Sequence, residues 1–159
     1  MTDTTTCATG PLVGLGLGPA PRPELTLPVS KLRGLTFPVR AALKLHGIAT
    51  CERLLRAAGR AGDRGRLARE TGIDPDVLLA LVRRADLARV DGLGPVFGLM
   101  LEDLGVADVA ALAARDPAEL HASLFHYNRE ERLARRSPTS GEVESWVAQA
   151  RSLPMLVSY

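Results

Sequence analysis

The sequence predicts an all-α protein, and three observations carry that prediction. Leu, Ala and Arg dominate, and all three favour helix. Apolar residues recur at helical spacing, as at Val143, Trp146, Val147 and Ala150, and no segment sustains a period-two alternation. Hydrophobic residues make up 46% of the 159 residues but aromatics only 4%, enough for a core yet poor for a β-sandwich with aromatic layers.

The chain divides by composition. Residues 1–29 are rich in Gly and Pro, as in "TGPLVGLGLGPAPRPELTLPVS", and read as a flexible or extended leader. Its "GLGLG" lacks the GxGxxG spacing and the strand–turn–helix context of a nucleotide loop. From Ser30 onward the chain is helical and repeats itself. Placing Gly34 over Gly92, an offset of 58, pairs Leu35 with Leu93, Leu43 with Leu101, Gly47 with Gly105 and Leu54 with Leu112. A larger shift pairs Leu78 with Val143, Leu81 with Trp146 and Ala85 with Ala150. The expected units are residues 30–89 and 90–159, the second ending in an extended tail, "PMLVSY", that packs back on the bundle.

Helix punctuation supports both units. Gly47 and Gly105 stop the first helix of each through a left-handed cap. Thr50 and Asp108 cap the next helices, "TCERLLRAAG" and "DVAALAAR". Asp74-Pro75 opens "DPDVLLALVRRADL" as a cap with proline at the first helical position. Asp116 with Glu119, and Thr139 with Glu142, have the capping-box spacing.

The stretch "VDGLGPVFGLMLEDLGV" packs two glycines before a helix. Gly92 and Gly94 permit backbone angles that a side chain forbids. Leu93 anchors the turn in the core, and Pro95 fits the first helical turn because it has no N–H to satisfy. Backbone N–H groups at such a helix start point outward, and the helix dipole favours an anion there. A phosphate oxygen is the natural ligand, and contacts of that kind carry no base information.

These residues resemble the helix-hairpin-helix motif, an apolar-x-Gly-apolar-Gly pattern followed by a helix. The span from Lys31 to Pro154 further resembles a bacterial family of uncharacterised proteins with two tandem helix-hairpin-helix units. That resemblance rests on "DGLGPVFGLMLEDLGV", "RDPAELHASL", "RRSPTSGEVESWVAQARSLP" and "TGIDPDVLLALVRRADLARV". It implies two such modules packed into one bundle and a non-catalytic, sequence-independent hold on DNA. It also implies that a turn's carbonyls can coordinate a monovalent cation; no cofactor and no metal ligand is expected from the residues themselves.

The expected phosphate contacts are Gly92, Leu93, Gly94, Pro95 and Val96 in the second copy and Gly34, Leu35 and Thr36 in the first. Arg33, Lys44, Arg83, Arg84 and Arg89 are expected to add attraction. The first copy departs from the motif: Thr36 replaces the second glycine, Pro38 is displaced by one, and Thr36 is expected to cap the helix through its hydroxyl. The second copy carries an acidic flank, Asp91, Glu102 and Asp103, which opposes DNA.

The alternative is a protein-interaction or scaffold module in which the turns serve only to pack helices. With 20 basic and 18 acidic residues, the net charge of +2 permits DNA binding only if the cations share a face. No enzyme is expected: there is no Gly-x-Ser-x-Gly, no dense carboxylate cluster, and no Cys with a His partner. His121 and His126 lie five apart, a poor metal spacing, and Cys7 and Cys51 do not make a disulfide scaffold. No apolar run reaches membrane-spanning length and the N-terminus lacks signal-peptide features, so a cytoplasmic protein with neither membrane partner nor small-molecule substrate is the expectation.

Overall fold

A computed structural model describes residues 27–159. Of the leader expected over residues 1–29, residues 1–26 lie outside the described residues, and residues 27–29 belong to the folded part. Within them the fold is all-helical. The helices are α1 (Phe37–Leu45), α2 (Cys51–Ala58), α3 (Ala61–Thr71), α4 (Pro75–Leu87), α5 (Pro95–Asp103), α6 (Val109–Ala113), α7 (Pro117–Glu131) and α8 (Ser140–Ser152). Among the described residues there is no strand, only an isolated antiparallel bridge between Pro28 and Thr50. No helix of the described residues is long and apolar enough to cross a membrane.

Most boundaries follow from side-chain caps. The Thr50 hydroxyl accepts from the Arg53 N–H, Asp74 from Asp76 and Val77, Asp108 from Ala111, and Asp116 from Glu119. At α8 both halves of the capping box form: Glu142 N–H donates to Thr139, and Thr139 N–H donates to the Glu142 carboxylate. Gly47 and Gly105, at φ +72° and +83°, follow the ends of α1 and α5 in the left-handed region. Thr36 corrects one expectation. It stands at the N-cap of α1 in an extended conformation, but its hydroxyl makes no cap hydrogen bond. Helix α3, "AGDRGRLARET", carries no such cap signal either: Arg60 precedes it without a side-chain bond.

Two hydrophobic clusters form. The first runs from Val29 to Ala85 and the second from Leu87 to Ala150. Residues paired by the repeat take the same role in each. Leu43 and Leu101 are fully buried, as are Leu54 and Leu112; Leu78 and Val143 likewise, and Leu81 and Trp146 nearly so. Burying each such side chain contributes about 1.5–3 kcal/mol. Residues 27–29 lie within this fold: Val29 N–H donates to Ala49 and Cys51 N–H to Leu27, at 3.0 and 2.8 Å. Burial pushes the Cys51 thiol up to about 11, so it is a protonated core group.

The halves are tied by a buried ion pair at the end of α4. Arg89 Nη1 donates to Asp86 Oδ1 at 2.6 Å, and its Nη2 to the Pro154 carbonyl at 2.7 Å. The second Asp86 oxygen accepts from Val109 N–H, at the start of α6. Burial raises the Asp86 pKa, only partly opposed by the Val109 and Arg89 hydrogen bonds. The C-terminal tail returns across the first half. Ser158 N–H donates to the Gly59 carbonyl, Arg64 donates to the Ser158 carbonyl, and the Tyr159 hydroxyl donates to Asp108.

Candidate functional site

Each glycine turn precedes a short helix, and each is clamped from behind by the last helix of its half. In the first, Gly34 takes φ +78° and Arg84 of α4 donates to the Arg33 carbonyl at 2.6 Å. In the second, Gly92 takes φ +79° and Gln149 of α8 donates to the Asp91 carbonyl at 3.3 Å. Gln149 also accepts from Asp91 N–H at 2.8 Å, so its amide grips both polar groups of one residue. The positive φ is the reason for glycine at both positions. Gly34 has a second reason, since a Cβ there would lie 2.6 Å from the Arg84 guanidinium. Gly94 differs: its φ is −72° and an added Cβ would meet nothing within 4 Å. Its missing side chain leaves open space beside the start of α5.

The main-chain donors there are open. Leu93 N–H is used within the turn, donating to the Val90 carbonyl at 3.3 Å. Among the described residues, no protein acceptor takes the N–H of Gly94, Val96 or Phe97. The same holds for Thr36, Phe37 and Val39 in the first copy. Pro95 supplies no N–H, and it is exposed with Val96. Phe97 faces inward, its ring centroid 5.4 Å from that of Trp146, and that contact helps fix α5 against α8. The second turn borders a cavity of about 550 Å³ through Gly92, Leu93, Gly94 and Pro95, and Leu32 and Arg33, just ahead of the first turn, line it too.

The cations are deployed less simply than their sequence positions suggest. Arg33 and Arg84 converge on Glu102 of α5. Arg84 makes a two-toothed pair through Nε at 3.1 Å and Nη2 at 2.8 Å, and Arg33 Nη2 adds a third bond at 2.8 Å. The Arg84 hydrogen bond holds the Glu102 carboxyl below its ordinary range, and the same bond raises the Arg84 pKa. Arg89 is buried against Asp86 and Pro154 and offers nothing to solvent. Arg83 donates to the Tyr159 hydroxyl and stacks on its ring, its guanidinium carbon 4.9 Å from the centroid. Arg40 and Lys44 are exposed on α1 and Lys31 is exposed ahead of it, and none of the three enters an ion pair among the described residues.

The structure holds Gly34, Leu35 and Thr36 in the first turn, with exposed Arg40 one helical turn into α1 and exposed Lys44 in the last turn of that helix. Gly92, Leu93, Gly94, Pro95 and Val96 form the second turn and the start of α5, whereas Glu102 lies near the other end of that helix. Arg89 and Arg83 belong to the packing of the tail. Sequence reasoning missed Gln149 as the second turn's clamp, although the shift pairing Ala85 with Ala150 also pairs Arg84 with Gln149. Elsewhere, His121 Nε2 lies 3.1 Å from the Pro138 carbonyl. No group of three or more His, Cys, Asp or Glu could hold a metal ion among the described residues.

Comparison with known proteins gives one match. The model of a family described as a domain of unknown function (DUF4332) covers residues 33–153, which takes in both turns and all eight helices. No curated protein and no solved structure matches the chain.

Proposed function

The chain belongs to the DUF4332 family, and from its turn geometry we propose that it is a non-catalytic protein of two tandem helix-hairpin-helix units that binds DNA through backbone phosphates. One observation carries this reading. Both glycine turns deliver unpaired main-chain N–H groups at the start of a helix, where an oxyanion gains hydrogen bonds and the favourable helix dipole together. Exposed Lys31 and Arg40 flank the first turn along the chain, and exposed Lys44 adds positive charge at the far end of α1. Arg33 and Arg84 join them only where a phosphate displaces Glu102. Amides read no base edge, so the binding is sequence-independent.

Mobility-shift titrations with two duplexes of unrelated sequence test this. Equal affinity for both, weakened by Lys44→Glu, is the expected result. Absence of a shift with either duplex at low salt excludes the reading.

A protein-interaction role is the second reading, favoured by the neutralisation of Arg33 and Arg84 and by Phe37, which is 82% exposed at the tip of the first turn. Under it, Phe37→Ala weakens capture of a protein partner and no nucleic acid shifts.

A further inference from the structure

The cavity between the halves is a site in its own right. Leu27, Leu32, Leu87, Val90, Leu93 and Leu99 form its walls. Its volume of about 550 Å³ falls in the range of small-molecule sites. Walls of this kind give water too few hydrogen-bond partners to hold it in order.

Lys31, Arg33 and Arg84 all contribute to the lining, and Glu102 pairs with the two arginines. Three cations against one carboxylate leave positive charge in excess, and the exposed Lys31 ammonium has no ion-pair partner among the described residues. The N–H of Gly94, also in the lining, is open as well.

Gly98 adds to the space. It lies inside α5, where glycine is a poorer helix former than alanine. A Cβ built on it meets nothing within 4 Å, so its missing side chain widens the cavity instead of relieving a clash.

We propose that this cavity binds an amphipathic anion, an acyl-chain carboxylate in chemical class, with its apolar body between the leucines and its head at Lys31, Arg33 and the Gly94 N–H. The assignment does not require DNA binding, although it draws on Lys31, Arg33 and the Gly94 N–H that the phosphate reading also uses, because it rests on the apolar walls and the cations that line them.

Calorimetric titration of the full chain with decanoate, and with decanol as its neutral counterpart, tests it. Decanoate is expected to bind saturably and to shift the methyl NMR signals of Leu87, Val90 and Leu99, leaving those of Leu112 and Leu124 in place. Gly98→Leu fills the space and is expected to weaken decanoate about tenfold or more with helical circular dichroism unchanged. Gly98→Ala, the smaller change, is expected to weaken it less and serves where the leucine variant does not fold. Lys31→Ala is expected to weaken decanoate about threefold and decanol not at all. The proposal is overturned by any of three results: no saturable decanoate binding, unaltered binding by a folded Gly98 variant, or equal effects of Lys31→Ala on acid and alcohol.

Discussion

Arg84 and Gln149 do the same work in the two halves of the chain. Each reaches from the last helix of its half to the carbonyl of the residue before a left-handed glycine, Arg33 at 2.6 Å and Asp91 at 3.3 Å. The turns are thus held by side chains from the last helix of each half, and their helix-start N–H groups keep no protein acceptor among the described residues. Gln149 is replaceable only at a cost: Gln149→Ala removes its bonds to both Asp91 backbone groups. A loss of about 1–2 kcal/mol in denaturant unfolding is expected, together with weaker DNA binding at the second turn.

In the proposed DNA-binding role, Glu102 competes with phosphate for Arg33 and Arg84. Its carboxylate takes both arginines, so Glu102→Gln is expected to raise DNA affinity about threefold or more at low salt. The same change is expected to lower stability by about 1 kcal/mol, since the pair is part-exposed and screened. Parallel DNA titration and thermal melts check both. Gain in affinity with loss in stability is the signature; loss of both would mean that Glu102 serves only to order the site.

The two glycines of the second turn are expected to separate folding from binding. Gly92→Ala places a side chain at φ +79° and costs about 1–2 kcal/mol. Gly94→Ala meets no obstacle at φ −72° and keeps the fold, but its methyl stands beside the open donors. Melting curves and mobility shifts on the two variants are expected to give a stability defect for the first and a binding defect for the second.

Arg89 is a structural cation. Removing it strands the Asp86 carboxylate in the core, so Arg89→Ala is expected to cost about 3–5 kcal/mol in chemical unfolding. That is a large share of the roughly 5–15 kcal/mol that holds a domain together. Asp86→Ala in the Arg89→Ala background is expected to restore part of the loss.

At α8, bonds from the Arg136 guanidinium and from Thr139 N–H hold the Glu142 carboxyl down to about 2 from 4.5. A depressed carboxyl stabilises the fold above its unfolded pKa. The contribution of Glu142 is therefore complete above the ordinary carboxylate range and lost as pH falls from about 4.5 to about 2. A carbon-detected NMR titration is expected to place the Glu142 midpoint near the lower end, and Arg136→Ala to move it upward.

Sequence carried the all-helical fold because caps and repeats are local signals. Asp74-Pro75, Asp108 and Thr139 with Glu142 each announce a helix within four residues. Helix α3 escaped because Arg60 gives no cap and its apolar residues, Leu67 and Ala68 among the buried, are few. The turns were legible through their glycines, but the fate of the arginines was not. Arg33 and Glu102 meet across 69 residues and Arg84 and Glu102 across 18, pairings that no helical spacing encodes. Arg89 did carry a signal: it stands three residues after Asp86 in the run "ADLARV", a charged pair set in apolar sequence.

The most direct test is the salt dependence of DNA binding by the full chain. Cations at the hairpins that replace counterions on at least two phosphates give a log–log slope of about −2 or steeper between about 50 and 200 mM salt, the same for unrelated sequences. A slope near zero, or no binding at the lowest salt, would contradict the account and leave the open amides without a nucleic-acid role.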